Sequence, residues 1–178
     1  MAPVQAQVLP PPPESGIVPE KIRDGIDLLI NGEHYRHTGD PQMPLLWYLR
    51  DVLRLTGTKY AGEHGGSGAD LVLLDGKAVS AIAQPLARLA GKAVVTVEGL
   101  AANDGSLHPL QQAFIDEDAI GCGYCTPGWL IAGVDLLRRK PHPGDDDIDQ
   151  LPNLCRCGCQ TRVRRAIKRA AAGKAGQQ

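Results

Sequence analysis

Hydrophobic and polar positions along the chain fall into two regimes. The first begins at Ile26, where apolar residues come in strand-length runs: Ile26-Asp27-Leu28-Leu29-Ile30, Leu71-Val72-Leu73-Leu74 and Val94-Val95-Thr96-Val97. The first run meets Asn31-Gly32 and then Glu33–Thr38; the second meets Asp75-Gly76 and then Ala78–Ile82. Both dipeptides supply the positive-φ residues of a two-residue turn, so each predicts a β-hairpin. Val94–Val97 is expected to close the sheet. Between the hairpins, Pro44 opens Leu45–Leu53, whose apolar spacing suits a short helix with proline in its first turn. Two hairpins and a helix describe a small α+β domain with a mixed sheet.

After Gly105 the period becomes helical. Pro109 is placed to start a helix over Leu110–Ile120. Thr126 as N-cap and Pro127 in the first turn precede Gly128–Lys140, and Arg138, Arg139 and Lys140 suit the negative end of that helix's dipole. Pro141-His142-Pro143-Gly144 breaks the chain, Asp145–Leu151 begins acidic, and Thr161–Ala172 forms a last, basic helix. The second half is thus expected to be a compact helical unit of about four helices. Residues 1–20 are proline-rich, with a Pro10–Pro13 run, and read as an extended arm.

Composition narrows the function. Apolar residues make up 43% and aromatics 4%, so the core must rest on aliphatic side chains. A net charge of -1 gives no general argument for nucleic-acid binding. No apolar run approaches bilayer length. Met1–Gly16 has neither the basic region nor the apolar region of an export signal. A cytoplasmic location is expected, or a periplasmic one if a partner carries the signal.

The candidate chemistry lies in five cysteines, all between 122 and 159. A disulfide framework would spread its cysteines to close loops, so this clustering favours a metal. The pattern is Cys122-x2-Cys125, a long interval, then Cys155-x-Cys157-x-Cys159. The first pair precedes one expected helix and Cys155 and Cys157 precede another. Helix N-termini carry partial positive charge that stabilises thiolates. Gly121, Gly123 and Gly158 let backbone N–H groups approach the sulfurs. On these residues alone, zinc held by four cysteines stays open beside an iron–sulfur cluster, although Cys155-x-Cys157 is tighter than zinc ribbons use. Cys159 reads as a free thiol.

The wording around the cysteines goes further. Gly121-Cys122-Gly123-Tyr124-Cys125-Thr126-Pro127-Gly128 and Asn153-Leu154-Cys155-Arg156-Cys157-Gly158 closely resemble the iron–sulfur subunit of the xanthine dehydrogenase and aldehyde oxidoreductase family of molybdenum hydroxylases. So do Val52–Tyr60, Leu74-Asp75-Gly76-Lys77-Ala78-Val79 and His108-Pro109-Leu110-Gln111-Gln112-Ala113-Phe114, and the likeness spans about residues 26–170. The resemblance implies a ferredoxin-like β-grasp domain over residues 25–100 and a helical domain, a four-helix bundle, over 101–172. An arm over 1–24 and a tail over 173–178 flank them. Each domain of the family carries a [2Fe–2S] cluster. The resemblance makes Cys122, Cys125, Cys155 and Cys157 the helical-domain ligands. It places Cys157 and Gln112 near a molybdopterin cofactor in a large partner subunit.

The β-grasp half departs from the family. Its four cysteine positions read Gly62, Ser67, Asp70 and Ile82. The expectation is therefore a single [2Fe–2S] cluster in the chain, with Ile82 filling the lost site by packing. Glu63, His64 and Asp70 on the intervening Gly-rich loop offer a different metal site, weighed against solvated loop residues. Electrons leaving molybdenum would pass through the one cluster to a further subunit. A c-type cytochrome carrying haem is favoured over an FAD flavoprotein, which would dock where the relay is missing. The complete enzyme would oxidise an aldehyde or hydroxylate an N-heterocycle, with no catalytic residue on this chain. A structural or assembly subunit holding zinc or a redox-silent metal is the alternative. Arg162, Arg164, Arg165, Lys168 and Arg169 read as a solvated or subunit-facing helix surface, with pterin phosphates as a second possible partner. Asp145, Asp146 and Asp147 read as helix N-terminal acidity rather than a calcium site. Trp47 and Trp129 are expected as core or interface anchors.

Overall fold

The computed structural model of the protein describes residues 25–62 and 66–175. The expected arm, Glu63, His64 and residues 176–178 lie outside that range.

Both hairpins form where the turn dipeptides put them. Strands β1 (Ile26–Ile30) and β2 (Glu33–His37) pair antiparallel, Ile26 opposite His37 and Ile30 opposite Glu33. Asn31 and Gly32 take φ of 52° and 84°, the turn that suits the strands' own twist. Strands β3 (Leu71–Leu74) and β4 (Lys77–Ser80) meet in the same way around Asp75 and Gly76, at φ 50° and 80°. Strand β5 (Ala93–Val95) lies between them, parallel to β1 and antiparallel to β3, giving the order β2-β1-β5-β3-β4. It is shorter than the apolar run Val94–Val97 suggests. At Thr96 the N–H donates to Asn31 Oδ1 (2.9 Å) and the hydroxyl accepts from Asn31 Nδ2 (3.0 Å). Those side-chain bonds take the place of the ladder, and the chain turns into a 3₁₀ segment over Val97–Leu100.

Helix α1 (Leu45–Trp47) continues as one wide π turn over Tyr48–Val52. Its buried Leu45, Leu46, Tyr48 and Leu49 cover Leu28, Ile30, Val72 and Val94 on the sheet, forming the first core. Trp47 packs half-buried on that core and stacks on Tyr60, ring centroids 5.7 Å apart.

The helical half consists of α2 (Pro109–Asp116), α3 (Thr126–Arg139), α4 (Asp145–Asp149) and α5 (Gln160–Ala175). Its core joins Leu110, Phe114, Trp129, Leu136, Ile148 and Ile167. Two boundaries differ from the sequence expectation. Helix α2 stops at Asp116, because Asp118 takes a left-handed φ of 48° and the chain cannot propagate to Ile120. In α3, Thr126 is already helical and Cys125 is the N-cap, with no side-chain capping bond. The thiol of Cys125 is thereby left free for other chemistry.

Helix α3 is buried along nearly its whole length because it faces both halves. Ile131 and Ala132 pack on Leu71 and Leu73 of β3. Closer to the cysteines, a Cβ on Gly128 would lie 1.8 Å from the Gly68 carbonyl oxygen. Asn153 Nδ2 donates to that same oxygen (3.0 Å), Leu154 N–H to Ser67 O (3.2 Å) and Tyr124 OH to Tyr60 O (2.7 Å). Both cysteine motifs are thus tied to the loop before β3.

The basic run on α5 is matched by carboxylates of α4 and the end of α2. Arg164 grips Asp149 with two bonds of 2.7 Å, Lys168 reaches Asp145 (2.6 Å), and Arg162 pairs with Asp118. Arg165 and Arg169 converge on Glu117 at 3.0 and 3.2 Å. Lys168 and Lys140 hold the Asp145 and Asp147 carboxyls below the ordinary aspartate range. The run therefore clamps its own helices together. Exposed pairs contribute only about 0.2–1 kcal/mol each. Glu117 serves two arginines, so Glu117→Gln is expected to lower unfolding free energy by about 1 kcal/mol, less at high salt. Urea unfolding at two ionic strengths checks this, and an unchanged midpoint at low salt would rule the clamp out.

Candidate metal centre

Four cysteines converge from two loops. Cys122 is exposed in the loop joining α2 to α3, and Cys125 is half-buried at the start of α3. Cys155 is buried and Cys157 exposed in the loop that leads into α5. They associate in two pairs, Cys122 with Cys157 and Cys125 with Cys155, each sharing a side-chain hydrogen bond. Every pair takes one cysteine from each motif. One pair faces outward and the other inward.

Within each pair one sulfur donates and the other accepts. In the inner pair, burial pushes the Cys125 thiol up to about 12, and its bond to Cys155 adds to the rise. Burial alone would also raise Cys155. Hydrogen bonds from the Cys159 and Cys157 backbone, from the Cys125 thiol and from the Cys159 side chain outweigh it and bring Cys155 down. In the outer pair a backbone hydrogen bond from Tyr124, followed by the Cys157 side chain, holds Cys122 below its ordinary value. Cys157 gains a backbone bond from Cys122 that would lower it, but its donation to the Cys122 sulfur and the charge there raise it on balance. The fold thus crowds two pairs of sulfurs that cannot all ionise unaided. Bound metal cations would take the place of the shared protons.

The donor set, four thiols, fits an iron–sulfur cluster. Two dithiolate pairs are what two bridged irons require. Gly121 makes the convergence possible: a Cβ there would lie 2.8 Å from Cys157 Cβ and 3.1 Å from Cys159 Sγ. Gly123 and Gly158, at φ of 80° and 75°, wrap the backbone around the sulfurs in a conformation that other residues adopt at a cost.

The β half holds no thiol. Asp70 is fully buried, and its Oδ2 accepts from the Ser80 hydroxyl and from the Ile82 N–H (3.4 Å). Ile82 packs against the first core. Positions 70 and 82 therefore still meet, through a carboxylate hydrogen bond and aliphatic packing. Gln112 lies on the exposed face of α2, where Nε2 donates to Asp116 (2.8 Å). Two residues gained meaning only from the structure. Arg162 read as one of a basic run and Cys159 as a spare thiol, yet Arg162 Nη2 donates to Cys159 Sγ at 3.4 Å.

Residues 96–168, which contain all the cysteines, match the family of the [2Fe-2S] binding domain, the class of an iron–sulfur protein. A nicotinate dehydrogenase subunit of Pseudomonas putida is 43% identical over 148 residues, 82% of this chain and 94% of that one. The alpha subunit of isoquinoline 1-oxidoreductase of Brevundimonas diminuta is 40% identical over 149 residues, 82% and 97% respectively. Among solved structures, quinoline 2-oxidoreductase of Pseudomonas putida 86 superposes with a TM-score of 0.78 at 33% identity, covering 86% of this chain and 96% of that one. The chain belongs to the iron–sulfur small subunits of the molybdenum hydroxylases, and it is an electron-transfer subunit of that family. Among the described residues no helix is long and apolar enough to cross a membrane.

Proposed function

We propose that Cys122, Cys125, Cys155 and Cys157 hold the chain's single [2Fe–2S] cluster. The carrying observation is the pairing itself, one cysteine from each motif in each pair. Residues 25–100 then form a β-grasp domain and 101–172 a four-helix bundle that holds the cluster. When bound, the cluster accepts and passes electrons singly. The chain's own residues crowd the thiolates, donate N–H groups to them and shield the inner pair. The exposed pair marks the face toward the large molybdopterin-binding subunit, with Cys157 next to the pterin and Gln112 on the same approach. Electrons from an aldehyde or N-heterocycle oxidised in that subunit leave through this cluster.

The next acceptor is a c-type cytochrome docked near the helical domain, with export in company with that partner. What supports this reading is the absence of thiols at Gly62, Ser67, Asp70 and Ile82. An acceptor seated on the β-grasp domain would have no relay beneath it. Purified chain is expected to carry two irons, one EPR signal and a brown-red absorption that bleaches with dithionite. Four irons or two signals would overturn the single cluster, and zinc without iron would make the subunit structural. Covalent haem in the purified complex is the expected sign of the cytochrome, and flavin in its place would reverse that assignment.

A further inference from the structure

Cys159 packs in the helical core and is also hydrogen-bonded on two sides. It is 1% exposed, and its N–H donates to Cys155 Sγ at 3.4 Å. Its own sulfur accepts from Arg162 Nη2 at 3.4 Å. Arg162 is paired on its other side with Asp118, which stands at the left-handed end of α2. A guanidinium therefore lies one side chain behind the buried sulfur of the inner pair, and a carboxylate lies one side chain behind the guanidinium. Arg164 and Lys168 of α5 pair instead with carboxylates of α4, and Arg165 and Arg169 with those at the end of α2.

We propose that Arg162, acting through Cys159, and its counter-ion Asp118 are opposed positioning charges that set the cluster's reduction potential. The inference rests on Cys155 being a ligand. Reduction adds one negative charge to the cluster and its thiolates. A fixed cation nearby favours that reduced state, and a carboxylate beyond the cation partly cancels it. The cation is nearer and less exposed, with 37% of its side chain accessible against 81% for Asp118, so it dominates. Cys159 supplies the link: its backbone N–H reaches the ligand sulfur, and its thiol, polarised by the guanidinium, directs that charge toward Cys155.

An EPR-monitored redox titration of the full-length, cluster-loaded chain tests this. Arg162→Gln is expected to lower the midpoint. Poised at the wild-type midpoint, its reduced-to-oxidised ratio falls by about tenfold, equivalent to 59 mV for one electron. Asp118→Asn is expected to move the midpoint the opposite way, by less. R162K stays near wild type. Arg165→Gln makes the same charge change on the same helix but bonds Glu117, and it is expected to leave the midpoint in place. A structural role alone has no reason to produce opposite signs. An unmoved midpoint in R162Q, or a downward shift in D118N, overturns the proposal. If R162Q fails to load iron, the sign of D118N decides by itself. A wild-type chain without a [2Fe–2S] signal removes the ligand assignment and this inference together, whereas an intact signal with unmoved midpoints removes this inference alone.

Discussion

Replacing Cys125 with serine is expected to leave the chain folded but stripped of its iron–sulfur absorption, with electron transfer to an external acceptor falling to background. Serine is a good N-cap, and Cys125 makes no capping bond that it would lose, so α3 should be at least as stable. The damage is to the inner pair. A hydroxyl is a harder and more weakly acidic ligand than a thiol, and burial already disfavours an anion here. Removing a partner one shell out from a metal commonly costs about 10–100-fold in affinity or activity. Losing a ligand of a four-thiolate cluster should cost more. Molybdenum content of the large subunit should be spared, because Cys125 belongs to the inward-facing pair. Iron per chain, EPR and dye-linked turnover check the three parts. Turnover that survives the substitution would exclude the relay role.

The second large effect is structural and has a sign that propensity alone gets wrong. In a helix interior alanine is favoured over glycine by about 1 kcal/mol, so Gly128→Ala should stabilise α3 in isolation. In the folded chain the new Cβ would lie 1.8 Å from Gly68 O, 2.7 Å from Gly68 C and 3.0 Å from Ala69 Cα. All three are backbone atoms, and none can swing aside. Gly68 itself is held by Asn153 and takes a φ of 64°, so it cannot retreat cheaply. Gly128→Ala is therefore expected to destabilise the chain by about 3 kcal/mol, the upper end of the overpacking range. It should also weaken iron retention, since Gly128 is three residues from Cys125 and Asn153 is two from Cys155. Denaturant unfolding gives the sign directly. A variant more stable than wild type would mean that the seam between sheet and α3 yields easily, contrary to the packing described.

Much of the fold was legible because its determinants are local. Asn31-Gly32 and Asp75-Gly76 specify their hairpins through backbone conformations available within the dipeptide. Pro44 and Pro109 mark helix starts for the same reason. Where boundaries moved, a distant residue intervened or a single backbone conformation ended the element. Strand β5 stops because Asn31 captures Thr96 from 65 positions away. Helix α2 stops at the left-handed Asp118, a position with no glycine to announce it.

The candidate site divides along the same line. The sequence by itself determined that the cysteines cluster in the second half of the chain, that the β half has no thiols, and which family the wording resembles. These are matters of residue type and spacing. Only the tertiary structure decided how the four sulfurs pair, which pair faces out, that Gly128 must be glycine, and that Arg162 reaches the Cys159 sulfur. Each of these depends on bringing residues together from opposite sides of a fold. The deciding contacts, from backbone oxygen to Cβ and from guanidinium to sulfur, act only at van der Waals or hydrogen-bond range.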